Sequence, residues 1–452
     1  MKRLKRFWND LRASLWFVPS LIVAVSIALA VALIGADSAE SKQWLARWPR
    51  LFGAGAAGAR GMLSTIAGSM MTVMGVTFSM TLVTLVLASS QYTSRILRNF
   101  MRDRVTQVVL GIFAGIFAYC LIVLRTIRSG DEGGYVPSLA VFFGVVLAIG
   151  GISVLIFFIH HIASSIQASS IIASVAEETM VAVDRLFPGR LGQGPVDDDE
   201  DQARLALSER TWQGVRANGN GYIQSVDHAA LLRLAREHKT IVRMEHGIGD
   251  FVVQDTPLAS LALEDPPGKD IIVALQAAYS ISRHRTLQQD AAFGIRQIVD
   301  MALRALSPSV NDTTTAVMCL DYLTAVLARL ASRDIPSSHR YEDGELRVIA
   351  VGQTFASLVA ESFDQMRGSA TGNVAIMSRM LGSLQTIASL TTSHTRRQAL
   401  REQVEWIAEV AERTLESRTT GHGLRAGWHV CEKHSKQRRT CSRRPRRTIM
   451  TM

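Results

Sequence analysis

Charged side chains are missing from four long stretches of this sequence: Leu15 to Gly35, Met62 to Gln91, Val105 to Leu124 and Pro137 to Ser164. A helix needs about 20 apolar residues to cross a bilayer, and each stretch is that long. This absence excludes a soluble fold for the first third of the chain, which reads as a multi-pass membrane domain. The stretches also lack the intramembrane carboxylates and amines that proton- or sodium-coupled transporters use for coupling. The only basic side chains inside them are His160 and His161, near the end of the fourth. Coupled transport is therefore not expected.

Cysteine is scarce too. Cys120, Cys319, Cys431 and Cys441 form no paired framework, which excludes a disulfide scaffold and fits a reducing cytosol for the soluble part. His429, Cys431, His434 and Cys441 match no common zinc spacing, so no metal is expected. The chain has no glycine-rich phosphate loop, no G-x-S-x-G, no H-E-x-x-H and no paired CxxC. With no nucleophile and base pair and no cofactor motif standing out, neither an enzyme nor a bound cofactor is expected.

Positive charge is present but localised. The formal charge is +10, and the segment from Gly421 to Met452 holds nine Lys or Arg against one acid, a net of +8 that leaves +2 for the rest. The basic end reads as a solvated, disordered tail, and no nucleic-acid partner is expected. At the other end, "MKRLKRFWNDLR" resembles the charged part of a signal peptide, but the apolar run behind it is too long for one, so a retained first span is expected. That basic segment and the loop "SRILRNFMRDR", with Arg95, Arg98, Arg102 and Arg104 against Asp103, mark the cytoplasmic side. The other two loops mix signs and carry Trp44, Trp48 and Tyr135, which suit the interface. Both termini are expected in the cytoplasm.

The second stretch differs in texture. Gly68, Ser69, Thr72, Gly75 and Ser79 recur at intervals that share one helical face, and small residues there let another helix approach closely. The face serves either packing within one subunit or a pore or oligomer seam. After the fourth stretch, Ile172, Val175, Thr179, Val183 and Leu186 step by three and four, which predicts a cytosolic stalk helix with one apolar stripe. Pro188 and Gly189 end it, and "GPVDDDEDQ" reads as an acidic linker.

In the soluble half, "GNGYIQSVD" predicts a turn and a strand, "HAALLRLAREH" a short helix, and "KTIVRMEHGIGDFVVQDTPLASL" two strands around the turn at Gly247 to Gly249. The last pattern resembles a hairpin of lipoyl-like domains, but its turn carries no lysine, so covalent cofactor attachment is not supported. From Asp270 onward the pattern is helical.

The densest polar stretch is "DAAFGIRQIVDMALRALSPSVNDTTTA", from Asp290. Phe293, Ile295, Ile298, Val299, Ala302, Leu303 and Leu306 predict a buried stripe, and Arg296 and Asp300, one turn apart, can pair. Pro308 cannot continue the helix, and Asn311 or Asp312 caps the next one, which starts in Thr313 to Thr315. Capping leaves the density of Asp290, Arg296, Asp300, Ser307, Asn311, Asp312 and Thr314 unexplained, with Arg283, His284 and Arg285 just upstream. A helix N-terminus beside arginines can hold an anion. Structural capping, an anionic-ligand site and catalysis all stay open here, with Arg296, Asp300, Ser307, Asn311, Asp312 and Thr314 as the candidate ligand residues.

At "SSQYTSRILRNFMRDRVTQVVLG", "GNGYIQSVD", "GDFVVQDTPL" and "DAAFGIRQIVDMALRALSPSVNDTTTA" the sequence resembles a bacterial family of predicted membrane proteins, domain of unknown function 2254. The resemblance runs from Met62 to about Leu415 and implies four N-terminal spans and a cytosolic C-terminal domain, with no established activity. The family pattern often has proline where this chain has Ser94, Ile248, Ala291 and Thr313, and the basic end after Thr420 has no counterpart in it.

The expected architecture is a mainly α membrane protein: four transmembrane helices (1–164), a cytosolic stalk helix and acidic linker (165–205), then a cytosolic α+β region made of a small β-module (206–268) and a helical domain (269–420), and finally the basic tail (421–452). The expected setting is a bacterial inner membrane. Two functions fit: a channel or uncoupled conduit gated by the cytosolic domain, or a membrane-anchored sensor or scaffold that binds an anionic small ligand or a protein partner. The expected partners are the lipid bilayer and other copies of the chain.

Overall fold

The structure, a computed structural model, describes residues 16–36, 55–91, 103–128, 135–165, 167–187, 210–287 and 289–414. The basic N-terminal segment, Arg95, Arg98 and Arg102, Trp44 and Trp48, the acidic linker and the basic tail lie outside the described residues. The chain divides after Ser170 into two compact units.

The first unit contains α1 (Phe17–Gly35), α2 (Ala56–Gln91), α3 (Arg104–Thr126) and α4 (Ser138–Ser165). In an apolar surrounding every backbone N–H and C=O must be satisfied internally, and uncharged runs of this length satisfy them as helices. Helix α3 packs against α1, α2 and α4. Gly111 and Gly115 let α1 come close, since a Cβ at Gly111 would stand 2.9 Å from the Pro19 backbone and one at Gly115 would collide with Ser26. Phe113, Tyr119, Leu63 and Phe158 are fully buried, and the Tyr119 hydroxyl donates to the Ala140 carbonyl at 2.7 Å. The outward faces of α1 and α4 carry large apolar side chains, among them Leu21, Val25, Ile149, Ile152 and Ile156.

Helix α2 begins earlier than its uncharged run. Arg60 therefore lies inside it, and its guanidinium donates to the Ile127 carbonyl at 2.7 Å, just past the end of α3. The rule that no charge falls within a span is corrected here and at the ends of α3, which takes in Arg104 and Arg125. Long basic side chains near helix ends reach polar groups in this way.

Helix α5 (Ala168–Leu186), where a stalk was expected, passes the division at Ser170, and its predicted stripe is buried at Ile172, Val175, Thr179 and Val183. Then follow β1 (Trp212–Arg216), β2 (Gly221–Val226), α6 (His228–Glu237), β3 (Val242–Met244), β4 (Phe251–Val252), β5 (Pro257–Ala262), α7 (Lys269–Ala278) and β6 (Tyr279–Ser282). The remainder is α8 (Ala291–Ala305), α9 (Thr313–Ala331), β7 (His339–Glu342), β8 (Glu345–Ile349), α10 (Phe355–Ser369), α11 (Val374–Leu390) and α12 (His394–Thr414).

Two expectations are corrected here. The turn at Gly249 does not close a hairpin: β3 pairs with β5 and β8, while β4 pairs with β2 in a separate three-stranded sheet ordered β4-β2-β6. The boundary at 268 does not separate strands from helices either, because β6 completes that small sheet and β7 and β8 complete the five-stranded one, ordered β1-β5-β3-β8-β7. Strands β3 and β8 run parallel, Val242 beside Val348, which requires the long crossover through α7, α8 and α9. The β7–β8 turn is Asp343-Gly344, both at positive φ (54° and 76°), a two-residue hairpin signal present in the sequence. Leu231, Leu258, Leu261 and Leu275 fill the core beneath the larger sheet.

Among the described residues, five helices are long and apolar enough to cross a membrane: α1, α2, α3, α4 and, in the second unit, α9. Helix α9 packs against α8, α10 and α11, and its Asp321 pairs with Arg379 at 2.5 Å.

Candidate functional site

Helix α2 is two-sided. Ala59, Leu63, Ala67, Met70, Thr77 and Thr84 are buried and face the rest of the bundle. Gly68, Ser69, Thr72, Gly75 and Ser79 lie on the opposite side and are all exposed. Packing within the described part of one chain therefore does not use the small-residue face. The stripe is also longer than the five residues picked out from the sequence. Gly58, Gly61 and Thr65 continue it at alternating steps of three and four, and all three are exposed. A Cβ built at Gly58, Gly61, Gly68 or Gly75 meets nothing within 4 Å. Spacing of 3.5 residues on average keeps a stripe aligned along a left-handed helix crossing. The hydroxyls of Thr65 and Thr72 donate to the Gly61 and Gly68 carbonyls at 2.8 and 3.0 Å, so both threonines are satisfied within the helix.

The break between α8 and α9 is built by caps. Asp312 is the N-cap of α9, and its carboxylate accepts from the Thr315 N–H at 3.0 Å and the Thr315 hydroxyl at 2.6 Å. These bonds, the hydroxyl's first, hold the Asp312 carboxyl below the usual carboxylate range, so its contribution to stability is lost as pH falls through that lowered range. Asn311 takes no part in the cap. It occupies the left-handed region (φ 48°), and its N–H donates to Ser307 at 2.9 Å while the Asp312 N–H donates to Ala305 at 2.7 Å. The Ser307 hydroxyl donates to Arg304, and Thr314 is exposed. Replacing Asp312 with Ala is expected to destabilise the fold by about 1 kcal/mol, with Ser recovering much of the loss, as read by thermal unfolding. If Asp312→Ser loses as much as Asp312→Ala, the carboxylate has a role beyond capping.

Arg296 is not part of this cluster. It sits about two and a half turns before the end of α8, roughly 14 Å along the axis. There it pairs with Asp300 at 2.9 Å and Glu361 at 3.2 Å. One arginine between two carboxylates leaves net negative charge. The structure thus gathers Ser307, Asn311, Asp312 and Thr314 at the break and keeps Arg296 and Asp300 apart from it.

A second polar centre of this unit is Asp290, which is 1% exposed. Its carboxylate caps α8 through the Phe293 N–H at 3.0 Å, accepts two bonds from Arg285 at 2.8 and 3.1 Å, and accepts from the Gln353 amide at 3.0 Å. Gln353 in turn accepts from the Ala292 N–H. Gly249, at φ 94°, presses on the pair: a Cβ there would stand 2.6 Å from the Asp290 carboxylate and 2.8 Å from the Arg285 guanidinium. The Gly249 N–H donates to Ile223, and the Val226 N–H donates to Gln289. Three sequence segments far apart in the chain, around 221–226, 249–252 and 289–293, therefore converge on one junction, where a buried ion pair joins the β-strands to α8. Among the described residues no group of three or more His, Cys, Asp or Glu is placed to hold a metal ion.

Those three segments are among the ones that carry the family resemblance. The family model described as "Predicted membrane protein (DUF2254)" matches residues 12–386. The chain belongs to this family. An uncharacterized protein of Mycobacterium bovis and one of Mycobacterium tuberculosis are each 32% identical to it over 425 residues, covering 91% of this chain and 79% of theirs. No solved structure matches. Two of the positions where the family often carries proline, Ala291 and Thr313, are the first residues of α8 and α9, directly after the capping aspartates. Proline suits that position because the N–H it lacks is otherwise unpaired there.

Proposed function

We propose that the protein is an uncoupled conduit of the bacterial inner membrane, assembled from several copies of this chain. Four spans, α1 to α4, cross the bilayer with both termini in the cytoplasm, and α2 stands at the seam between copies. The observation that carries this reading is the exposed Gly/Ser/Thr stripe of α2 from Gly58 to Ser79, set against a bundle interior filled by Phe113, Tyr119 and Phe158. A path through the filled interior of one chain has no room, whereas a path or seam along the outer face of α2 has both room and hydroxyls. Length supports the same role: α2 has 36 residues, and a helix of that size is roughly 54 Å long. A hydrocarbon core of roughly 30 Å would need a tilt well beyond the usual ~40° limit to hold it. Part of α2 then projects beyond the bilayer with Leu82, Val83 and Val86 uncovered by the described part of its own chain.

Helix α9 stays outside the membrane in this reading, since it carries Asp321 and Arg329 in ion pairs with Arg379 and Asp184. The alternative, a sensor for an anionic ligand at the α8–α9 break, has weaker support because Arg296 is already held by two carboxylates.

Purified protein in liposomes is expected to conduct ions or small solutes. Thr72→Leu and Ser79→Leu, which fill the stripe, are expected to cut flux at least tenfold, and Val86→Leu to change it little. No flux from the native protein sinks the conduit reading, and equal losses from all three variants reduce the stripe to helix packing.

A further inference from the structure

We infer that Asp103 and His161 form a protonation-sensitive clamp that ties the start of α3 to the end of α4. The clamp is independent of the conduit reading. His161 Nε2 stands 3.0 Å from the Asp103 carboxylate, across two helices, and both side chains are about three-quarters buried (26% and 25% exposed). A carboxylate only accepts, so Nε2 carries the proton in this contact. Asp103 is also the N-cap of α3: it accepts from the Val105 N–H at 3.0 Å, the Thr106 N–H at 3.3 Å and the Thr106 hydroxyl at 2.7 Å. One turn past His161, the Ser165 hydroxyl donates to the His161 carbonyl at 2.7 Å.

The pair sits within a polar layer of an otherwise apolar bundle. Gly144 meets Leu63 and Gly151 meets Met70, the same offset in both cases, so α4 runs beside α2 in a fixed parallel register. That register puts Ser165 level with Thr84, a buried threonine in α2. Helix α3 runs antiparallel to α2, as the Arg60–Ile127 bond requires, so its first turn reaches the same level. Asp103, Thr106, His161, Ser165 and Thr84 thus share one end of the bundle.

The electrostatics give the sign. Burial alone would raise the Asp103 carboxyl, but the bonds from Thr106, His161 and Val105 outweigh it and hold the carboxyl below its ordinary value. Asp103 therefore stays ionised through mildly acid pH. Imidazole is the side chain that gains a charge between pH 5 and 8. When His161 is charged, the contact becomes a charge-assisted bond, stronger than the neutral one. The clamp is therefore tighter with the imidazole charged than with it neutral. The other ionisable neighbours do not supply that switch: Arg104 on α3 and His160 on α4 are exposed, and neither the described part of α2 after Arg60 nor α1 carries a charge. Arg95, Arg98 and Arg102 precede Asp103 in the sequence, outside the described residues.

The test is backbone hydrogen exchange of the full chain in lipid nanodiscs at pH 5.5, 6.5 and 8, corrected for intrinsic exchange. In the native protein, protection of the first turns of α3 and the last turns of α4 is expected to fall together, about fivefold, as pH rises. His161→Gln keeps a donor for the carboxylate but cannot charge, and Asp103→Asn keeps the α3 cap but not the charge. Both are expected to remove the pH slope while α3 stays capped. A flat native profile overturns the clamp, as does a slope that survives in His161→Gln. A slope confined to α4 overturns it too, because a clamp must move both ends.

Discussion

Gly294→Ala is expected to destabilise the second unit by about 3 kcal/mol, the upper end of the usual overpacking cost. The sign is the informative part. In the middle of an exposed helix the same change stabilises by roughly 1 kcal/mol, because alanine is the better helix former. Gly294 lies in α8 where Thr179 of the stalk helix crosses it, and a Cβ there would collide with the Thr179 hydroxyl and stand 2.8 Å from its Cβ and Cγ2. Thr179 is fully buried, with its hydroxyl donating to the Val175 carbonyl, so it has no free rotamer into which to retreat. Ion pairs from Asp184 to Arg329 and to Arg333, the latter at 2.7 Å, fix the same helix further along. Thermal unfolding of the full-length protein reads the loss. Thr179→Ala removes two of the three clashing atoms, so the double variant is expected to recover more than half of it, a coupling that only contacting residues show. A stabilised Gly294→Ala variant would mean that α5 does not cross α8 at this distance.

This crossing shows where the sequence stops being informative. The stripe on α5 was legible because apolar residues at steps of three and four mark a buried face whatever the partner. The partner was not, since nothing in "IIASVAEETM" names Gly294 as the residue that makes room. Four of the five candidate span helices, α1 to α4, were legible from absent charge, and the α9 cap from an aspartate ahead of Thr313 and behind Pro308. The β7–β8 hairpin carried a readable Asp-Gly turn but was submerged in a helical stretch. The direction of the small-residue stripe on α2 could not be read, because glycines favour close packing without saying whether the neighbour belongs to the same chain. The Asp103–His161 pair joins residues from separate helices, and the sequence treated them as a loop acid and a span histidine. In the stretch from Asp290 to Thr314 the polar density was visible in the sequence but not its division: capping at Asp312, side-chain pairing at Arg296, and a buried junction at Asp290.

That junction gives the other large effect. Asp290→Ala is expected to destabilise the second unit by about 3 kcal/mol or more, because breaking one partner out of a buried pair leaves the other charge uncompensated. Three losses coincide: the α8 cap at Phe293, the two bonds from Arg285, and the Gln353 bond that ties in the segment ahead of α10. Asp290→Asn keeps a capping oxygen and the shape of the site, so it is expected to lose less than Ala. Replacing both partners, Asp290→Asn with Arg285→Met, is expected to lose less than Arg285→Met combined with an intact, unpaired Asp290, since a buried carboxylate without its cation is the costly state. Gly249→Ala tests the same junction from the β side. Its φ of 94° is strained for any side chain, and the added methyl would stand against both charges of the pair. It should therefore destabilise although it removes no bond. The comparison that decides the matter is with Asp312→Ala, a simple cap worth about 1 kcal/mol. If Asp290→Ala costs no more than that, Asp290 is one more helix cap, and the convergence of three distant segments on it contributes nothing to holding the β-strands against α8.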